Sequence, residues 1–307
     1  MLPSIPILDF SQRDEASWLP ALDAACKEWG CFQLVSHPLT QLQTRQLLTE
    51  TKRFFSLPQN EKYKIERTET NPWGYYDREL TKNVRDWKEI LDIGPSTSDG
   101  PFADARPQWP SSLAGFRECM QAYFCACESL ALTLLVQIAD CLKTPAETFM
   151  DGFSGGSSSF LRLNYYPICE VPDEHLGISP HTDSGALTIL LADDQPGLQF
   201  WHNNEWHTVE PEPDALIVNL GDIAQVWSNV LYIAPLHRVL ANRDNPRYSA
   251  PFFFNPRYDF TYAPVLNEIT GNEARYSSIN WGDFRQSRAA GDYRDQGEEI
   301  QVSHFKR

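Results

Sequence analysis

The sequence predicts an α+β chain with a mainly β core, folded as a sandwich or a barrel-like jelly roll. Three observations point there. From Ser159 onward, short apolar or alternating runs occupy 159–166, 176–182, 186–192, 197–201, 205–209, 215–219, 223–227, 236–241 and 247–254. Turn signals such as 193–197 and 202–205 separate them, and regular strands at this spacing build sandwiches and jelly rolls. Between Ser111 and Leu142, the apolar residues Phe116, Met120, Tyr123, Cys127, Leu130, Leu134 and Ile138 step by 3 or 4. That is the stripe of one long helix bracing a sheet. The 307 residues, finally, can bury a sizeable core, as one large domain or a catalytic domain with an extension.

Taken in order, residues 4–9 read as a short strand and 17–29 as an amphipathic helix. Trp18, Leu19, Leu22, Ala25, Cys26 and Trp29 give its 3–4 spacing, and Gly30 ends it. Residues 31–35 form a strand, and a helix from about Thr40 to Phe55 stops at Leu57 and Pro58. Residues 70–95 mix Trp73, Tyr75, Tyr76 and Trp87 with Asp86, Lys88 and Glu89, which suits either a pocket lining or a structural loop. The stretch 94–110 is a loop rich in Gly, Pro, Ser and Asp. Gly155–Ser159 lacks the lysine of a phosphate loop and is a connector. The tail from Thr261 is mixed, with a helix expected near 274–290.

Composition narrows the partners. With 26 basic against 41 acidic residues the net charge is −15, which argues against binding nucleic acid or an anionic membrane surface. No run reaches the roughly 18 apolar residues that span a bilayer, and no signal peptide is visible at the start. The seven cysteines form no CxxC pair, so buried free thiols in a reducing, cytoplasmic setting are expected. No obligate protein partner is indicated.

The chemistry starts at Ser179–Asp183. Strand residues i and i+2 share a face, so His181 and Asp183 reach one site together while Thr182 turns away. An imidazole and a carboxylate are two-thirds of the facial triad that holds non-haem Fe(II). His237, 54 residues after Asp183, is the candidate third ligand from a neighbouring strand. His202 and His207 flank a turn and read as solvated, and His37, His175 and His304 have no partner at useful spacing. Arg247 and Ser249 form a second same-face pair, fit to anchor a carboxylate through a guanidinium and a hydroxyl. Asn164 and Tyr166 form a third, able to bond a carboxylic acid from the opposite wall.

In this order and spacing the sequence resembles the isopenicillin N synthase-like iron(II)/2-oxoglutarate-dependent dioxygenases. The stretches that carry the resemblance are Asn164–Cys169, His181–Asp183, Pro196–Gln199, Asn219–Asp222, His237–Val239 and Arg247–Ser249. Ile5–Asp9, Trp29–Val35 and Phe54–Pro58 extend it through the N-terminal half. The departures are Pro38 and Val230, where the family usually has glycine. The resemblance implies a double-stranded β-helix (jelly roll) braced by helices. It also implies an N-terminal dioxygenase region over 1–110, a bracing helix over 111–150, a catalytic core over 151–260 and a helical tail over 261–307.

The resemblance further implies Fe(II) on His181, Asp183 and His237, with O2 and 2-oxoglutarate as co-substrates. Arg247 and Ser249 would hold the distal carboxylate of 2-oxoglutarate, Tyr166 would add a hydrogen bond, and Asn164 would sit near the oxoacid end. The implied reaction oxidises, usually hydroxylates, a small organic substrate and releases succinate and CO2. Tyr75, Tyr76, Phe102, Trp281 and Phe284 are expected to contribute to a largely apolar substrate pocket. Three alternatives stay open at this point. They are an iron oxidase like isopenicillin N synthase or aminocyclopropane-carboxylate oxidase that does not use 2-oxoglutarate, a non-catalytic jelly-roll binding module, and a zinc hydrolase on the same ligands.

Overall fold

The computed structural model describes residues 4–97, 100–295 and 297–307. The chain opens with β1 (Ile7–Asp9), α1 (Trp18–Glu28), β2 (Cys31–Val35), α2 (Gln41–Phe55) and the single turn α3 (Gln59–Lys62). Next come β3 (Gly74–Tyr76), the hairpin β4 (Leu80–Thr81) and β5 (Val84–Arg85), β6 (Glu89–Ile93), the long α4 (Phe116–Cys141) and α5 (Glu147–Met150). The core strands are β7 (Phe160–Tyr166), β8 (Leu176–His181), β9 (Leu187–Ala192), β10 (Leu198–His202), β11 (Glu205–Thr208) and β12 (Leu216–Leu220). After α6 (Asp222–Trp227) follow β13 (His237–Leu240), β14 (Arg247–Phe254), β15 (Thr261–Tyr262), β16 (Ile279–Asn280) and α7 (Trp281–Gly291).

Local chemistry sets several of these boundaries. Thr40 and Gln43 close a reciprocal capping box at the start of α2, which satisfies backbone N–H groups that a helix start leaves unpaired. Beyond α1, Gly30 has φ +66° and its N–H bonds Ala25 O at 3.0 Å. A Cβ there would lie 2.1 Å from Ile233 O, so glycine is required. Asn280 caps α7 by accepting from Asp283 N.

Two sheets make the core. The larger runs β1-β2-β12-β9-β14-β7-β6-β3 and the smaller β11-β10-β13-β8. Only the β1–β2 pair is parallel among these neighbours. Strands from before residue 100 thus complete both flanks of the larger sheet. On its outer side lies α4, packed against α1, α2 and the sheet strands β7, β9 and β14. All seven residues of its expected stripe are buried, each contributing about 1.5–3 kcal/mol. By length and composition alone α4 is apolar enough to cross a bilayer, a property the sequence reading does not anticipate. Between the sheets sits a second apolar cluster that includes Tyr166, Leu190, Leu198, Phe200, Ile217 and Val239. Its strands belong to both sheets, so it closes the jelly roll below the candidate site.

Some expectations are corrected. Residues 223–227 are helix, because Ile223, Val226 and Trp227 fall at i, i+3 and i+4 and are all buried. The tail helix starts only at Trp281, since Ile279 and Asn280 pair with Thr261 and Tyr262 as strands. Ser98 and Asp99, inside the expected 94–110 loop, lie outside the described residues. The seven cysteines are unpaired, but Cys125 is exposed and Cys119 and Cys141 are half-buried. Val230 adopts φ +66°, a conformation that costs a β-branched residue about 1–2 kcal/mol and suits the glycine usual in the family.

Candidate active site

Antiparallel pairing of β8 with β13 sets His181 directly opposite His237. Asp183 follows two residues beyond His181, on the same face. The three ligand atoms lie within 4.8 Å of one another, and Asp183 Oδ1 is 3.7 Å from both Nε2 atoms. Each ring is oriented from behind. His181 Nδ1 lies 2.8 Å from Ser179 O and His237 Nδ1 lies 3.0 Å from Pro235 O. A carbonyl only accepts, so both Nδ1 atoms carry the proton and both Nε2 lone pairs face Asp183. Burial, then the neighbouring His237, pushes the His181 pKa down to about 3, which keeps that lone pair free at neutral pH.

The carboxylate is held equally firmly. Asp183 Oδ2 accepts from Thr188 Oγ1 at 2.5 Å and Asn219 Nδ2 at 2.8 Å, leaving Oδ1 turned to the histidines. Burial alone would raise the Asp183 pKa, but His237, His181 and these two hydrogen bonds outweigh it and hold it low. Two neutral imidazole nitrogens and one carboxylate oxygen on one side of a site are the donor set of a non-haem Fe(II) centre with open positions. Asn219 and Thr188 are the outer partners that aim the ligand. Asn219→Ala is expected to weaken Fe(II) binding about 10- to 100-fold, measured by metal titration of the purified protein, with Thr188→Val similar.

Arg247, Ser249, Asn164 and Tyr166 meet on the larger sheet. In the β7–β14 register Arg247 faces Tyr166 and Ser249 faces Asn164, so the two pairs share one wall rather than opposing each other. Asn164 Nδ2 donates to Ser249 Oγ at 3.3 Å. The Arg247 guanidinium is 2% exposed and lies 5.2 Å from the Tyr166 ring centroid. Its Nε donates to Gln195 O at 3.3 Å, but Nη1 has no partner, nor has Asn164 Oδ1. A buried guanidinium with an unused N–H face is costly unless an anion completes it. A carboxylate such as that of 2-oxoglutarate supplies the missing acceptor, so the residues fit the co-substrate.

Both groups line a single cavity of about 150 Å³. None of Tyr75, Tyr76, Phe102, Trp281 and Phe284 lines it. All five are buried elsewhere: Tyr75 donates to Glu89, Phe102 packs edge-on to Tyr258, and Trp281 Nε1 donates to Ser158. Aromatic density there reflects core packing. Beside the apolar Leu190, Leu198 and Phe200, the cavity has a charged side that includes Glu79, Lys88 and Arg162. Glu79 is contacted by Arg67, Lys88 and Arg162, and Asp86 and Asp92 complete the network at 2.6–2.9 Å. Burial alone would raise the Glu79 pKa, yet Arg162, Lys88 and Arg67 hold it well below the ordinary carboxylate value.

Sequence reasoning picks out Asp86 and Lys88, in the 70–95 stretch that suits a pocket lining, but misses Arg67, Glu79, Asp92 and Arg162, although Arg162 is two before Asn164 and therefore shares its face. The other histidines lie apart from the site. His202 and His207 are half-buried rather than solvated, with His202 stacked on Trp29 at 3.9 Å. His175 stacks on Trp87, His37 bonds Asp214 O, and His304 lies 3.2 Å from Glu298.

Comparison with known proteins agrees with this geometry. The model of the 2OG-Fe(II) oxygenase superfamily matches residues 157–256. That of the non-haem dioxygenase in morphine synthesis N-terminal region matches 5–112. Jasmonate-induced oxygenase 4 of Arabidopsis thaliana is 32% identical over 303 residues, covering 91% of this chain and 84% of that protein. The crystal structure of JOX2 in complex with 2OG, Fe and JA superposes with a TM-score of 0.85 at 29% identity, covering 99% of this chain and 90% of that one. A full-length Neurospora crassa protein, solved in complex with alpha-KG and thymine, gives 0.80 at 25% identity, over 93% and 96% of the two chains. The chain belongs to the 2OG-Fe(II) oxygenase superfamily and is an iron(II)- and 2-oxoglutarate-dependent dioxygenase with the jelly-roll fold of that family.

Proposed function

We propose that His181, Asp183 and His237 hold the Fe(II), that Arg247 and Ser249 with Tyr166 bind the distal carboxylate of 2-oxoglutarate, and that Asn164 borders its oxoacid end. The enzyme then hydroxylates a C–H bond of a small organic metabolite. The observation that carries the reading is the buried Arg247 guanidinium, with Nη1 unpartnered, in the same cavity as the His-Asp-His group. When bound, iron couples the decarboxylation of 2-oxoglutarate by O2 to oxidation of the substrate, one oxygen atom entering succinate and the other the product. The chain's own residues orient and enclose. Ser179 and Pro235 carbonyls fix the rings, Thr188 and Asn219 fix the carboxylate, and Arg247 sets the co-substrate's direction. The apolar cluster of Leu190, Leu198, Phe200 and Val239 keeps water from the site.

JOX2 and the Neurospora crassa protein are in complex with JA and thymine, respectively, which supports a small-molecule substrate here. Seven unpaired cysteines support a reducing, cytoplasmic setting. The test is a metabolite screen read by succinate release from 2-oxoglutarate. An accepted substrate is expected to yield one succinate per hydroxylated product. Oxidised product formed without succinate would assign the chain to the iron oxidases that do not use 2-oxoglutarate.

A further inference from the structure

The paired strands β7 and β14 present every second residue to the cavity. From one end the cross-strand pairs are Arg247 with Tyr166, Ser249 with Asn164, and Phe253 with Phe160. Six residues separate Arg247 from Phe253, about 20 Å of strand. The first two pairs belong to the co-substrate anchor. The last is a different kind of surface, with the Phe160 and Phe253 rings stacked at 4.7 Å and 25°. Over Phe160, reaching from α7, lies the guanidinium of Arg285, with Cζ 5.9 Å from the ring centroid.

Arg285 differs from every other cation around this cavity. Arg67, Lys88 and Arg162 are neutralised by Glu79, Asp86 and Asp92. Arg162 in particular donates to both oxygens of both Glu79 and Asp92. Arg288 is paired with Glu299 at 3.6 Å, and Arg247 serves the opposite end. Arg285 lines the same cavity and, among the described residues, has neither an ion pair nor a hydrogen bond. Asp292 lies within its field but forms no ion pair with it, and burial and the neighbouring Glu79 raise the Asp292 pKa against Arg67 and Arg285. A half-buried guanidinium beside a stacked aromatic pair is a receptor for an anion attached to an apolar body.

We infer that the substrate is an amphipathic monocarboxylic acid, its apolar body on Phe160 and Phe253 and its carboxylate received by Arg285. This rests on the active-site reading above and adds the substrate class to it. One free guanidinium with Glu79, Asp292 and Glu299 nearby suits a monoanion; a phosphate monoester would bring up to two negative charges into that company.

The test uses the full chain with Zn(II) in place of iron and with 2-oxoglutarate bound, so that binding is read without turnover. The probes are phenylacetate, cyclohexylacetate and decanoate, their methyl esters and primary amides, and phenyl phosphate. Calorimetric Kd values and ligand-dependent shifts in Tm are the readouts. The acids are expected to bind at least about tenfold more tightly than the esters, amides or phosphate. Arg285→Gln should erase that preference and leave 2-oxoglutarate affinity unchanged, while Arg285→Lys, as the folding control, should keep part of it. Equal binding of acids and esters, preference for the phosphate, or an acid preference that survives Arg285→Gln would overturn the inference. So would loss of 2-oxoglutarate binding in Arg285→Gln. Failure of the parent protein to bind 2-oxoglutarate would instead overturn the active-site reading, and this inference with it.

Discussion

Replacing Asp183 by alanine is expected to abolish turnover, lowering it by at least about 1000-fold if the metal contributes several kcal/mol to the reaction. Asp183 is the one anionic donor in the group, set 3.7 Å from both imidazole nitrogens. Its loss leaves two neutral nitrogens, a set with no charge to match a dication. The substitution also strands the Thr188 hydroxyl and the Asn219 amide that now donate to Oδ2. Asp183→Asn separates the two effects, because it keeps a polar group of the same shape while removing the charge. Fe(II) titration, followed by the absorbance of the iron–2-oxoglutarate complex, should show loss of affinity in both variants. The loss should exceed that of Asn219→Ala, which leaves all three ligands in place. Affinity unchanged in Asp183→Ala would remove the residue from the metal site.

That site was legible because strand alternation is a local rule. His181 with Asp183, Arg247 with Ser249, and Asn164 with Tyr166 each declare a shared face through two-residue spacing alone. The α4 stripe declared itself in the same way with the helical period. What stayed hidden depends on strand order and on which layer a residue enters. Alternation alone leaves Asn164 free to sit on the wall opposite Arg247, whereas β7 and β14 are neighbours across more than eighty residues of chain. No local pattern reports that pairing. The run 223–227 suits a strand as well as a helix, because Ile223, Ala224, Val226 and Trp227 are too few to separate the two periods.

The aromatic residues expected at the pocket lie away from the cavity. Tyr75 faces the α2 side, where it meets Phe54 and the Lys62–Glu89 pair, and Trp281 turns into the core toward Ser158. Aromatic residues enrich buried cores as readily as pockets, so their density carried no direction. The cavity is lined instead by apolar residues of the two core sheets, such as Leu190, Leu198 and Phe200, and by charged residues, such as Glu79, Lys88, Arg162 and Arg285. Of the charged ones, Lys88 lies in the stretch that suits a pocket lining, and Arg162 follows from extending the alternation of Asn164 and Tyr166 one step back.

Arg247→Met is expected to raise the KM for 2-oxoglutarate by roughly 30- to 5000-fold, the equivalent of the 2–5 kcal/mol lost when one partner of a buried charge pair is removed. Its effect on the ligand-free protein should have the opposite sign or none. Without 2-oxoglutarate the guanidinium is almost wholly buried, with Nη1 unpartnered and one long bond from Nε to Gln195 O. An unpaired buried charge is a cost that a methionine of similar length does not carry. Thermal melts should therefore show the apo variant at least as stable as the parent, while the rise in Tm that 2-oxoglutarate produces in the parent disappears. Arg247→Lys should fall between, since an ammonium keeps the charge but loses the two-pronged geometry that a carboxylate matches. A residue whose role was only to hold β14 in the sheet would behave differently. Its loss would lower apo stability and leave the ligand-induced shift intact, and that pair of results would remove Arg247 from the co-substrate site.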